Sequence, residues 1–215
     1  MTIIAVAGTG TDVGKTYVAA ALLRTLRDRG LRVVVRKPVQ SFAPGDTSTD
    51  AHVLAAATGA EPHDVCPPHR WLPIPMAPPM AADALGLPPF TIADLASEVT
   101  AGTTSRTPVL VETAGGVRSP IADDGDCAAL IRTLVPNLVV LVADAGLGTI
   151  NAVRLSRDAL WKEGLVVVFL NRYDPDSDLH ARNARWLARR EGLVVLTDVE
   201  ALANLVEPIV RTASS

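Results

Sequence analysis

The chain has 215 residues, 48% hydrophobic and 20% charged, which supplies one sizeable core and excludes a disordered segment. Twenty Lys and Arg against 23 Asp and Glu leave a formal charge of −3, the wrong sign for a protein that wraps nucleic acid or coats an anionic membrane. Strand-like apolar runs such as residues 165–170 stop far short of the roughly 20 residues a spanning helix needs, and two cysteines, Cys66 and Cys127, make neither a disulfide framework nor a zinc site.

The N-terminus has no basic leader and runs straight into folded-looking sequence, so a reduced, cytoplasmic setting is expected. Residues 3–7 read as a buried strand, and residues 15–29 as a helix with Val18, Leu22, Leu23 and Leu26 on one side. Further strands are expected at 32–36, 109–111, 138–142, 165–170 and 193–196. Helices are expected from Asp50 onward and at 126–134, 149–162 and 179–190. Strands apolar on both faces and separated by helices predict an α/β fold: three layers, with a mostly parallel sheet covered on both sides. Residues 60–90 hold nine of the sixteen prolines and read as an ordered loop or a short-helix excursion, functional in a compact protein. With no internal repeat and no second core, residues 1–215 are expected to form one domain.

Gly8-Thr9-Gly10-Thr11-Asp12-Val13-Gly14-Lys15-Thr16 lies between the first strand and the first helix, the context a phosphate-binding loop requires. It is one residue longer than the common spacing, because Thr9 stands where the first glycine is usual. The physics is unaltered: glycines turn the backbone N–H groups toward phosphate oxygens, and the helix adds its positive end. Lys15 can reach the β- and γ-phosphates, and the Thr16 hydroxyl suits Mg²⁺. Lys37, followed by Pro38, leaves the second strand at the edge where open α/β sheets bind ligands. Ser41 offers a hydroxyl to a substrate or closes a turn. Glu112 at the tip of the strand at 109–111 can ligate a cation, and Gly115 and Gly116 allow close approach of a ligand. Asp50 is either a helix-start acid or a second carboxylate for that cation, with Asp46 the competitor.

Taken together, the long loop at 8–16, Lys37-Pro38-Val39 with Ser41, Asp50, Glu112, Ala114-Gly115-Gly116, Leu147-Gly148-Thr149-Ile150-Asn151 and Asn171 make the chain resemble the dethiobiotin synthetase family. The resemblance implies an ATP- and Mg²⁺-dependent ligase that closes a cyclic urea on 7,8-diaminononanoate with CO₂, working as a homodimer with sites near the subunit interface. It implies that Lys37, Lys15 and Thr11 are catalytic, and that Asp12, Val13, Gly14, Lys15, Thr16, Tyr17, Asp50, Glu112 and Asn171 bind the nucleotide, Asn171 reading adenine. It implies Mg²⁺ on Thr16, Asp50 and Glu112. Thr11, Ser41, Gly115 and Gly116 would line the diamine site, while Gly148 and Asn151 would meet its carboxylate tail from across the dimer. Thr113 stands where the family has glycine, and so predicts a shifted acid loop, because a β-branched residue disfavours positive φ. Arg172 stands where the family has aspartate, and no proline follows Leu196 on the base side.

Other readings share the loop. A partitioning-type ATPase would carry a second lysine where this chain has Gly10, and an amidating synthetase would bring a glutaminase domain that the nineteen residues after Leu196 cannot hold. A silent dimeric scaffold, or a ligase acting on a different diamine shaped by the proline- and methionine-rich residues 75–82, would keep the same layout. The four histidines have no metal-ligand spacing. Asp123, Asp124 and Asp126 read as helix-start acids, Arg182, Arg185, Arg189 and Arg190 as a solvated face, and Trp71, Trp161 and Trp186 as packing residues.

Overall fold

The computed structural model describes residues 1–160 and 164–214; the end of the helix expected at 149–162, with Trp161, lies outside the described residues. Six strands form one parallel sheet: β1 (Ile3–Gly8), β2 (Val34–Arg36), β5 (Val109–Glu112), β8 (Leu138–Asp144), β9 (Val166–Asn171) and β10 (Val194–Leu196). Their spatial order is β2-β5-β1-β8-β9-β10, and every pairing is parallel.

The side-chain period of two sorts the core into layers. Ile4 and Val6 of β1 point to one face, where they pack with Leu110, Val140, Val167 and the buried sides of α1 (Lys15–Asp28) and α2 (Asp50–Thr58). Ile3, Ala5 and Ala7 point to the other, beneath α5 (Ile92–Thr100), α6 (Cys127–Leu134), α7 (Thr149–Ala159) and α8 (Asp178–Glu191). Helices on both faces bury the central strands completely, which explains their unbroken apolar runs.

The sequence does not suggest the C-terminal helix or the two small sheets, whereas the proline-rich region is the short-helix excursion expected. The acidic, proline-bearing stretch from Val199 is a helix, α9 (Val199–Ser214). Its Leu202, Ala203, Val206 and Val210 lie buried against the α1 face, and Glu200 and Glu207 pair with Arg29 beyond the end of α1. Pro208 sits on the exposed side, so tertiary burial outweighs its missing donor. The proline-rich region holds α3 (Pro62–Val65), a 3-10 turn at Pro68–Arg70, β4 (Trp71–Leu72) and α4 (Pro78–Ala84); Pro is tolerated in first turns, where its missing N–H had no helical partner. β4 pairs in parallel with β3 (Gln40–Ser41), and β6 (Pro120–Ala122) makes a small antiparallel hairpin with β7 (Gly125–Asp126). The acids before α6 serve locally: Asp126 caps that helix by accepting from the Ala129 N–H, while Asp123 and Asp124 accept from the Phe90 and Ile92 amides.

Candidate active site

The carboxyl ends of β1, β2, β5, β8 and β9 meet along one edge of the sheet, where this class of fold binds ligands. Between β1 and α1 the loop rises and turns sharply. Asp12 and Gly14 both adopt left-handed backbone, and the N–H of Thr9 donates to the carbonyl of Val142 on β8. A β-carbon on Gly8 would lie 2.9 Å from Cδ of Lys15, so a residue without one is needed for the lysine stem to pass. Lys15 is buried and its ammonium donates to the Gly10 carbonyl at 3.0 Å. Burial, and then the charge of Lys37, hold its pKa below that of an ordinary lysine.

Lys37 leaves β2 with its N–H bonded to the Val65 carbonyl, and its side chain is only 2% exposed. The ammonium sits 2.6 Å from Glu112 Oε1 and 2.7 Å from Asp50 Oδ2, and donates to the Thr113 carbonyl at 3.3 Å. The Thr16 hydroxyl lies 2.8 Å from Asp50 Oδ1 and 2.8 Å from Glu112 Oε1. One ammonium thus serves two carboxylates. Burial alone would strip the Lys37 proton, but Glu112 and Asp50 outweigh it and hold its pKa above the ordinary value. The two acids separate. Burial pushes fully buried Glu112 up; at half-exposed Asp50, burial also pushes upward, but Lys37 prevails and holds the carboxyl below its usual range. The lowered Lys15 and the raised Lys37 belong to one electrostatic cluster, since each of Lys37, Glu112 and Asp50 acts on Lys15.

Thr113 directly follows Glu112. Its backbone avoids positive φ, its N–H continues the ladder to the Val6 carbonyl, and Glu112 reaches the cluster. Gly115 takes the left-handed conformation instead, and a β-carbon on Gly116 would lie 3.3 Å from the Thr9 carbonyl oxygen. These two glycines therefore lie against the phosphate loop, with the Thr11 hydroxyl beside Gly115. Ser41 donates to the Met76 carbonyl at 2.6 Å, tying β3 to the proline-rich region. Asp46 is drawn off elsewhere: its carboxylate accepts from the Ala43 N–H in an exposed turn. Gly148 and Asn151 are not joined to this cluster; they stand at the exposed start of α7.

Asn171, at the end of β9, donates from Nδ2 to the Val13 carbonyl at 3.0 Å. A β-carbon on Gly14 would come within 1.9 Å of that amide. Asn171, Gly14, Tyr17, Phe169, Arg172 and Asp198 help line a cleft of about 600 Å³ beside the loop. The loop after β10, at Thr197 and Asp198, lines the same cleft, so the stretch that lacks the family's proline still borders it.

Gln40 carries no motif signal, yet it positions the site. Its Oε1 accepts from the Ala51 N–H in the first turn of α2, next to Asp50. Hard oxygen donors on Thr16, Asp50 and Glu112 suit a divalent cation. Glu112 Oε2 is buried without a hydrogen-bond partner among the described residues, an acceptor left over for such an ion.

A family model described as an AAA domain matches residues 2–209. The ATP-dependent dethiobiotin synthetase BioD of Corynebacterium efficiens is 41% identical to this chain over 170 residues, covering 79% of this chain and 74% of that protein. The corresponding protein of Anaeromyxobacter dehalogenans is 37% identical over 199 residues, covering 89% and 87%. Among solved structures, a cobyrinic acid a,c-diamide synthase from Mycobacterium smegmatis, with bound ATP analog and magnesium, superposes with a TM-score of 0.57 over 100% of this chain and 96% of that one. Chloroplast FtsY from Physcomitrella patens does so with a TM-score of 0.58 over 94% and 64%. At 16% and 15% identity these last two likenesses are of fold.

Proposed function

The chain belongs to the ATP-dependent dethiobiotin synthetases, ligases of biotin synthesis, and on that premise we propose that it joins CO₂ to 7,8-diaminononanoate and closes the ring to dethiobiotin. The observation that carries this reading is the convergence of Lys37, Thr16, Asp50 and Glu112 on one point, with the buried ammonium of Lys15 on the loop within their electrostatic influence. One amine captures CO₂ as a carbamate. A carbamate oxygen attacks the γ-phosphorus and ADP leaves. The second amine then attacks the carbamoyl carbon, and inorganic phosphate departs as the cyclic urea forms.

Such a transfer depends on placement and charge neutralisation rather than on covalent help from the protein. Lys15 meets the terminal phosphate oxygens, and Lys37 meets both the carbamate and the phosphoryl group as charge develops on them. Amides of residues 12–14 and the start of α1, through Thr16 and Tyr17, receive the phosphates, and Asn171 and the cleft beside it receive the base. Thr16, Asp50 and Glu112 would hold Mg²⁺, which supplies charge neutralisation at the β- and γ-phosphates. Thr11, Ser41, Gly115 and Gly116 line the diamine end. The working unit in this reading is one domain that pairs into a cytoplasmic homodimer. There the loop at Gly148 and Asn151, with Leu147 standing 92% exposed, reaches the tail of the partner's substrate.

The Ser41 bond to Met76 favours a second reading in the same class. The wall of the diamine pocket is then set by residues 75–82, and a diamine of different length could be the one closed. An ADP-release assay with ATP, Mg²⁺, bicarbonate and diaminononanoate, repeated with shorter diamines, tests both. Turnover that requires diaminononanoate supports the first reading. Preference for another diamine supports the second, and ATP hydrolysis indifferent to any diamine refutes both.

A further inference from the structure

Three non-glycine residues among those described have positive φ: Asp12, Val135 and Arg172. Two of the three are joined to each other. The Arg172 Nη2 group donates to the Asp12 carbonyl at 2.8 Å, while Nη1 of the same guanidinium lies 2.9 Å from Asp144 Oδ2 at the end of β8. Left-handed backbone costs an L-residue free energy that its surroundings must offset, and such positions cluster where geometry matters. Here the offsetting bond runs from one strained residue to the other.

Asp144 is itself fixed. Its Oδ1 accepts from the Gly146 N–H at 2.8 Å, and the Ala145 N–H donates to the Asn171 carbonyl at 3.0 Å. Asn183 on α8 donates to the carbonyls of both Ala145 and Gly146. The turn that leaves β9 therefore holds the phosphate loop at consecutive points: Asn171 on the Val13 carbonyl, and Arg172 on the Asp12 carbonyl with its other arm braced on β8.

We propose that Arg172 is a positioning residue for the phosphate loop, a forked strap that ties the loop's crest at Asp12 to Asp144 and so keeps the amides of residues 12–14 aimed at the triphosphate. The strap rests on the reading of this loop as the nucleotide site. A guanidinium suits the task because two of its N–H groups reach two acceptors in one plane, which a lysine ammonium cannot do without giving up one of them. Arginine at this position lines the cleft and also braces the neighbouring loop.

The test is the affinity of a non-hydrolysable ATP analogue with Mg²⁺, measured by calorimetry without any diamine. R172A should weaken binding roughly tenfold, equivalent to about 1.4 kcal/mol. R172K should recover little of that loss. D144A keeps the arginine but removes its acceptor on β8, and should weaken binding in the same direction by a smaller factor. The double variant should be no worse than R172A. In turnover assays the KM for ATP should rise while the KM for the diamine stays within twofold. Binding by R172A within twofold of wild type overturns the proposal. So does a D144A protein with wild-type affinity beside a weakened R172A, since Arg172 would then be touching nucleotide directly. A wild-type protein that binds the analogue but forms no cyclic urea refutes the ligase reading and leaves this measurement intact.

Discussion

The two ends of the site are built in opposite ways. At the end proposed for the nucleotide, charged side chains are held by short bonds between elements far apart in sequence: Lys37, just past β2, meets Asp50 of α2 and buried Glu112 of β5, and both acids meet Thr16 of α1. At the end proposed for the diamine, Ser41 rests on a backbone carbonyl of the proline-rich region, and Met76 and Met80 stand in solvent. That region is tethered at its far side by Arg70, which pairs with Glu98 of α5 and lies over the Phe90 ring. Preorganised charge accelerates a step because no reorganisation is needed when the reaction occurs. A pocket wall made of short helices and methionines can instead follow the shape of its ligand. The first end should therefore be intolerant of change and the second forgiving.

The strongest way to break this contrast is at Lys37. K37A should lower kcat by roughly 10³-fold, the scale on which a preorganised charge acts in a transition state, as read by ADP release. A K37A enzyme within tenfold of wild type would mean that the buried cluster is structural only. At the other end, S41A removes one hydroxyl whose present partner is a carbonyl. It should raise the KM for the diamine about fivefold, the scale of one hydrogen bond, with the KM for ATP unmoved. An equal rise in both would erase the difference between the ends.

The smallest effect concerns the tether. Partial burial alone would raise the Glu98 carboxyl, but the hydrogen bonds from Arg70 and His69 outweigh it and hold the group below its ordinary range. A carboxylate lowered in this way contributes stability that is present above its unfolded pKa of about 4.3 and lost as pH falls through the folded value. E98Q should therefore cost about 0.5–1 kcal/mol near neutral pH, a lowering of roughly 1–4 °C in Tm for a chain of this size. The two proteins should melt together once the pH has fallen through the folded value, where the wild-type carboxyl is itself neutral. Calorimetric scans across that range check it, and a difference that persists in acid would show that the tether acts by shape, not by charge.

What the sequence disclosed follows the same division. All six sheet strands were legible as short β-branched runs, and the central ones because burial on both faces writes an unbroken apolar run, as in the strands that begin at Ile3 and Val166. The phosphate loop was legible because strand, glycines and Gly-Lys-Thr are contiguous. The helix from Val199 was not, because Pro208 and the acids masked an apolar face at Leu202, Ala203, Val206 and Val210 that only packing on α1 makes useful. Asp50 and Asp46 could not be told apart from spacing alone; the structure separates them by the reach of Lys37 and Thr16. Gln40 left no local signal, and Arg172 stood out only as a departure from the family's aspartate with no partner readable, since each acts on backbone brought close by the fold.

The ammonium of Lys37 between Asp50 and Glu112 means that the ligand-free protein carries its own counter-ion. Nothing at its centre waits for a divalent ion before the chain can fold, unlike small domains whose structure collapses without one. Prolonged dialysis against a chelator should accordingly leave the melting curve within about 1 °C of the untreated protein, while turnover stops until magnesium is restored. Storage and refolding then need no metal in the buffer.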